Sequence, residues 1–285
     1  MASEVTTFLV TGVSSGLGRA IAARLLADGH RVVGTLRRAG QVAEFEALAP
    51  GRAFGRLLDQ ADERSIEPAI AAIEAEAGPI DVLVANAGYG HEGAFEESTM
   101  AQLRAQFEVN VFGTVAVIKA TLPGMRERRR GHIFVVTSMG GLVTFPGLTF
   151  YHGSKFALEG IVGSLAQEVA GFGVHVTAIE PGSFRTDWAG RSMVRAERSI
   201  SDYDAVFDPI RATRLANSGN QLGNPDLVAS AIMRVAESAN PPVHLVLGSD
   251  ALRLIDKSQS ALREEISAWA EVSRSTDFPD GASLG

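Results

Sequence analysis

The stretch Phe8-Leu9-Val10-Thr11-Gly12-Val13-Ser14-Ser15-Gly16-Leu17-Gly18 decides how this chain is organised. Its first four residues read as a buried strand. Leu17, Ile21, Leu25 and Leu26 then fall on one face of a helix running to Ala27. Between strand and helix the glycines are spaced GxxxGxG. Gly12 permits a tight turn, Gly16 lets backbone approach a bound group, and Gly18 lets helix and strand pack closely. The new helix aims free N–H groups and the positive end of its dipole at this turn, which suits a phosphate.

Outward from there, short β-branched runs alternate with helical periodicity. Strands are expected at Arg31 to Leu36, Ala53 to Leu58, Asp81 to Ala85, Ile133 to Thr137, Val174 to Ile179 and Val243 to Leu247. Helices are expected at Val42 to Leu48, Ser65 to Glu76, Met100 to Leu122 (closed by Pro123-Gly124), Phe156 to Val169, Pro225 to Ala236 and Ala251 to Ser273. Parallel strands need such crossovers, and strands apolar on both sides belong in a sheet covered on both faces. The order predicts an α/β fold, a Rossmann-like doubly wound parallel sheet of about seven strands with helices on both faces. Residues 1–250 form the expected catalytic domain, with a lid at 184–224, and 251–285 a helical extension with a tail frayed beyond Thr276.

Composition narrows the function. Of 285 residues 46% are hydrophobic and 21% charged, as in globular proteins. The net charge of −7 argues against a nucleic-acid-coating protein, despite the basic cluster Arg126, Arg128, Arg129 and Arg130. The chain has no cysteine, which removes disulfides and thiolate chemistry and fits a reducing compartment. It shows neither a signal peptide nor 18 uninterrupted apolar residues, so no membrane association and a cytoplasmic location are expected. The histidines lack metal-ligand spacing, no catalytic metal is expected, and no nucleophile elbow with triad partners is present.

A carboxylate closing the second strand would accept hydrogen bonds from the ribose hydroxyls of NAD. Here the strand ends Gly34-Thr35-Leu36-Arg37-Arg38. Two guanidinium groups favour a 2′-phosphate, so NADP(H) is expected over NAD(H), which remains usable. Further on, Tyr151-His152-Gly153-Ser154-Lys155 sets a phenol and an ammonium on one face of a helix start. The nearby cation is expected to lower the phenol's pKa.

Taken together, these motifs resemble the short-chain dehydrogenase/reductase family in its compact form, from about Val5 to Leu247. Thr11 to Gly18 is similar to the family's TGxxxGxG, Asn86-Ala87-Gly88 to its NAG motif, and Pro181-Gly182 to its PG motif. The family's catalytic tetrad maps onto Asn110, Ser138, Tyr151 and Lys155. The resemblance implies cofactor contacts at Gly12, Ser14, Ser15, Gly16, Leu17, Arg37, Arg38, Asp59, Asn86, Ala87, Gly88, Pro181, Gly182, Phe184 and Thr186, besides Tyr151 and Lys155. It implies a homodimer or homotetramer, through the helices Met100 to Leu122 and Phe156 to Val169. Two departures stand out: Gly153 replaces a more usual Ala, and Glu180 stands where many members carry Asn.

The expected activity is NADP(H)-dependent interconversion of a hydrophobic ketone or aldehyde and its alcohol. Ser138 would bond the substrate oxygen, Tyr151 act as general acid or base, Lys155 hold the nicotinamide ribose, and Asn110 place a relay water. Met139, Leu142, Val143, Phe145, Phe150, Trp188 and Met193 are expected to line the substrate pocket, since such walls are mostly apolar. The alternative from another class is a non-catalytic NADP(H)-sensing regulator, which would need no proton donor. Binding without turnover separates the two.

Overall fold

The computed structural model describes residues 5–188 and 190–278. Seven strands form one parallel sheet: β1 (Thr7–Val10), β2 (Arg31–Leu36), β3 (Ala53–Leu57), β4 (Val82–Ala85), β6 (Gly131–Val136), β7 (Val174–Pro181) and β9 (His244–Leu247). Their spatial order is β3-β2-β1-β4-β6-β7-β9. The order reverses direction between β1 and β4, the crevice where doubly wound sheets bind ligands.

Helices cover both faces because successive side chains of each strand point to opposite sides. Phe8 and Val10 enter one core with Ile21 and Leu25 of α1 (Gly16–Ala27), Phe45 of α2 (Gly40–Glu46) and Ile232 of α8 (Val228–Ala236). Leu9, between them, enters the other. There it meets Ile66, Ile70 and Ile73 of α3 (Glu63–Ala77), Val117 of α5 (Thr114–Arg128) and Leu158 and Val162 of α6 (Thr149–Val169). The apolar runs read from the sequence are therefore strands buried on both faces.

Three expectations need correction. The long helix runs without a break but not as a regular α-helix throughout: α4 (Met100–Phe107) passes into a π-helical turn, Glu108–Gly113, before α5 begins. Nor does Pro123 close α5, which runs on to Arg128. Met125 is fully buried against the second core, and Arg128 donates to the Ile80 carbonyl at 2.9 Å, so packing outweighs the proline's missing donor. Third, α6 starts at Thr149 rather than Phe156, so Tyr151 falls in its first turn and Lys155 in its second, at a helix start as expected.

The lid has structure of its own. Strand β8 (Met193–Arg195) pairs in parallel with β5 (Gly90–Glu92), and α7 (Asp204–Ala216) follows. Charges tie this segment down: Arg195 and Arg214 converge on Glu92 at 3.4 and 2.9 Å, and Arg198 reaches Glu97 at 2.9 Å. Three-residue strands are too short for periodicity to reveal. The extension, α9 (Ser249–Ala268) and α10 (Ala270–Arg274), buries Ala251 and Ile255 against Val143. The end of the expected tail, 279–285, lies outside the described residues.

Candidate active site

The glycine turn, Asn86-Ala87-Gly88, Ser138 and Pro181-Gly182 sit at carboxyl ends of sheet strands, whereas Asn110, Tyr151 and Lys155 come from helices. Past β1, Gly12 and Gly16 adopt φ of 75° and 59°, a region costly for residues with a Cβ. A Cβ on Gly18 would collide with Asn86 Nδ2 and the Gly12 carbonyl, so this glycine permits the close approach of turn and helix. Ser15 caps α1 without a side-chain hydrogen bond, leaving the helix's first N–H groups for another acceptor. Across the turn, Gly16 faces Thr186, whose Cβ a Cβ there would approach to 4.0 Å.

Asn86-Ala87-Gly88 follows β4. Thr11, fully buried, accepts from the backbone N–H groups of Asn86 and Ala87, both at 2.9 Å. Asn86 Nδ2 donates to the Thr11 carbonyl at 2.8 Å. These bonds lock β1 to β4 at the crevice. Arg37 and Arg38, past β2, are exposed, as is Asp59 past β3, whose carboxylate accepts from the Ala61 N–H at 3.0 Å. Gly182, after β7, donates to the Leu247 carbonyl at 2.8 Å.

Asn110 occupies the π-helical turn, a distortion that often marks functional positions. It is buried, accepting from the Tyr89 N–H at 3.0 Å and donating to the Tyr89 carbonyl at 2.9 Å and to Ser154 Oγ at 3.2 Å. Ser138 follows β6, accepts from the Gly140 N–H at 3.0 Å, and lies near enough to the Tyr151 phenol to lower its pKa. Lys155 Nζ donates to the Val136 carbonyl at 2.9 Å and lies 5.8 Å from the Tyr151 ring centre. A Cβ on Gly88 would reach 3.0 Å from Asn110 Oδ1 and 3.8 Å from Lys155 Nζ. The tetrad is thus one cluster.

The expectation for the phenol's acidity is corrected by the structure. Burial raises the Tyr151 pKa to about 12, and the nearby Ser138 offsets this only in part. The same burial lowers Lys155 to about 8, although the charge of Glu159 supports its ammonium. Desolvation disfavours the charged form of each group, and here it outweighs Ser138 at the phenol and the Glu159 charge at the ammonium. The phenol therefore keeps its proton at neutral pH.

The apolar residues divide. Trp188 packs on Tyr151 with ring centres 5.2 Å apart, and Met193 and Leu148 join the same cluster. Val143, by contrast, is buried with Ala251 and Ile255, flanked by Met139, Leu142 and Phe145. Phe150 stacks on His91 at 5.0 Å. Val143 thus packs with helix α9 and Phe150 with His91 of strand β5. The Phe184 ring likewise packs on the first core and against Gly223. Leu148 was missed, lying in a loop without periodicity. His152 offers Nδ1–H to the Gly140 carbonyl at 2.7 Å and accepts from the Phe145 N–H at 3.0 Å, so it shapes this loop.

A family profile described as short chain dehydrogenase matches residues 6–195. Oxidoreductase BOA17 of Botryotinia fuckeliana is 36% identical, over 93% of this chain and 97% of its own. The 3-ketodihydrosphingosine reductase of Bacteroides thetaiotaomicron is 34% identical, over 92% and 95%. A solved structure of a short-chain dehydrogenase from Streptomyces avermitilis superposes with a TM-score of 0.90 at 38% identity, covering 97% of this chain and all of that one.

Proposed function

The chain belongs to the short-chain dehydrogenase family of oxidoreductases, and we propose that it is an NADP(H)-dependent enzyme interconverting an apolar ketone or aldehyde and its alcohol. The observation that carries this reading is the joint burial of Tyr151, Lys155 and Asn110, with Ser138 near the phenol, at the crevice of the glycine turn.

The residues suit a dinucleotide. The uncapped N-terminus of α1 offers N–H donors to a pyrophosphate, and Gly12 and Gly16 leave room for it. The Arg37 and Arg38 guanidinium groups, both exposed, suit a 2′-phosphate through charge-assisted bonds. Lys155, close to Gly88, would hold ribose hydroxyls. When bound, the reduced cofactor supplies a hydride.

The chain's own groups do the rest. Ser138 donates a hydrogen bond to the substrate oxygen, already oriented by its neighbours. Tyr151 gives that oxygen its proton as negative charge develops, and in oxidation takes one away. Trp188, Met193 and Leu148 form an apolar wall beside the phenol and exclude water. That wall favours an apolar carbonyl compound, and the relative named 3-ketodihydrosphingosine reductase is in keeping with it.

The test is a panel of apolar ketones and aldehydes with NADPH or NADH, followed by nicotinamide absorbance. Turnover with NADPH preferred is expected. Tight NADPH binding with no turnover on any carbonyl overturns the reading.

A further inference from the structure

Glu159, Glu180 and His244 form a titratable cluster beyond the tetrad. Glu159 follows Lys155 by one turn of α6, Glu180 lies near the end of β7, and His244 opens the edge strand β9. Their ligand atoms all lie within 4.8 Å of one another. Both carboxyls are buried, Glu180 completely, whereas the His244 side chain is 52% exposed. His244 Nδ1 stands 2.7 Å from Glu180 Oε1 and 3.5 Å from Glu159 Oε2.

A count of donors shows what the pair holds. Both Glu159 oxygens and Glu180 Oε2 are buried without a hydrogen-bond donor among the described residues. Thr137 is adjacent, but its hydroxyl donates to the Ile179 carbonyl at 2.9 Å. The two carboxyls nevertheless stand together, an oxygen of each within 4.8 Å of the other, and each shifts the other's titration. Two ionised carboxylates have no proton to share, so one proton held between them is what satisfies both. Burial raises both groups, Glu180 to about 7 with Glu159's charge adding to the rise. Two cationic groups face the pair. His244, on β9, pulls both carboxyls down, and Lys155, on α6, pulls Glu159.

We infer that Glu159, Glu180 and His244 form a proton path that reloads Lys155 from solvent at the sheet edge. The path rests on the proposed reaction, in which each reduction leaves Tyr151 one proton short. The Lys155 ammonium returns a proton to the phenolate, and the carboxyl pair passes its shared proton to the Lys155 amine. Protonated His244 restores the proton of the pair, and solvent reprotonates His244. The step between Glu159 and Lys155, one turn apart on one face, takes a single bridging water or a rotation of the lysine stem. In oxidation the path runs outward. No electrons move along it, and one proton is taken from solvent per hydride delivered.

The test is His244→Ala, at a half-exposed position, assayed for ketone reduction with NADPH and with added imidazole. The expected result is a kcat about tenfold lower with KM for NADPH unchanged, restored by imidazole, and a larger solvent deuterium isotope effect. Glu180→Gln should lower kcat similarly without imidazole rescue. An unchanged kcat in His244→Ala overturns the path, and so does a loss that imidazole leaves untouched, since a purely structural histidine would behave that way. Both results leave the proposed function standing if the wild-type chain turns over. A wild-type chain that reduces no carbonyl overturns the reaction and the path together.

Discussion

Tyr151 and Lys155 sit one helical turn apart on α6, the ammonium 5.8 Å from the phenol ring centre, and burial pushes their proton affinities in opposite directions. The phenol rises to about 12 and the ammonium falls to about 8. Ordinary values of 10.0 and 10.5 thus end about four units apart with their order reversed, and the phenol keeps its proton until a stronger base needs it. A ketone that has accepted a hydride presents such a base.

Replacing Tyr151 by Phe removes that proton and little else, because the ring still packs on Trp188. The kcat for ketone reduction should fall by about a thousandfold, with NADPH binding by fluorescence titration unchanged. A variant retaining most of its rate would remove Tyr151 from the reaction.

The lowered Lys155 value implies a pH limb. As pH rises through about 8, the ammonium loses its charge and its grip on acceptors. The kcat/KM for reduction, which reports the free enzyme, should be flat below that value and decline above it. Lys155→Met should abolish the limb along with most of the activity.

Arg37 makes no hydrogen bond or ion pair with another described residue and is exposed at the end of β2, so its substitution leaves the fold alone. Arg37→Asp should reduce the preference for NADPH over NADH by about tenfold or more, through loss of a charge-assisted bond and repulsion of the 2′-phosphate. Steady-state kinetics with both cofactors decides it.

Thr11 holds two backbone N–H groups at the crevice with one hydroxyl oxygen. Thr11→Val keeps the shape and leaves both donors without that acceptor, at a cost of about 2–4 kcal/mol. Denaturant unfolding should show the loss, and NADPH affinity should drop with it because Asn86-Ala87-Gly88 lines the same crevice.

His132 on β6 is buried, bonded to Thr177 at 2.9 Å and stacked on Phe134, and burial lowers its pKa to about 3. In the unfolded chain the imidazole titrates near its ordinary value of about 6.5. Because the folded value is the lower one, the unfolded chain binds the proton first. Stability is complete above about 6.5 and falls as pH drops from there toward about 3, by on the order of 1 kcal/mol per unit. His132→Gln should flatten this acid limb in thermal unfolding, and an unaltered limb would assign it to other groups.

Much of the architecture was legible in residue order. The run Phe8 to Gly18 places strand, turn and helix by local rules alone: apolar residues that suit a doubly covered strand, glycines at positive φ, and a 3.6-residue apolar stripe. The tetrad was legible through spacing matched to a family pattern. The π-helical turn at Asn110 was not, because it depends on Tyr89 offering both backbone groups to one side chain. The pairing of Gly90–Glu92 with Met193–Arg195 was invisible for a similar reason, as two short strands far apart in sequence are stabilised by contacts, not by propensity.

Residue order by itself determined the sheet, the crevice and the identity of the groups gathered there, since each follows from periodicity, backbone freedom and spacing along a few consecutive residues. Only the tertiary structure decided how those groups hold protons. Burial of Tyr151 and Lys155, and the meeting of Glu159 with Glu180 from different elements, set the charge states, because desolvation depends on what the rest of the chain brings around a group.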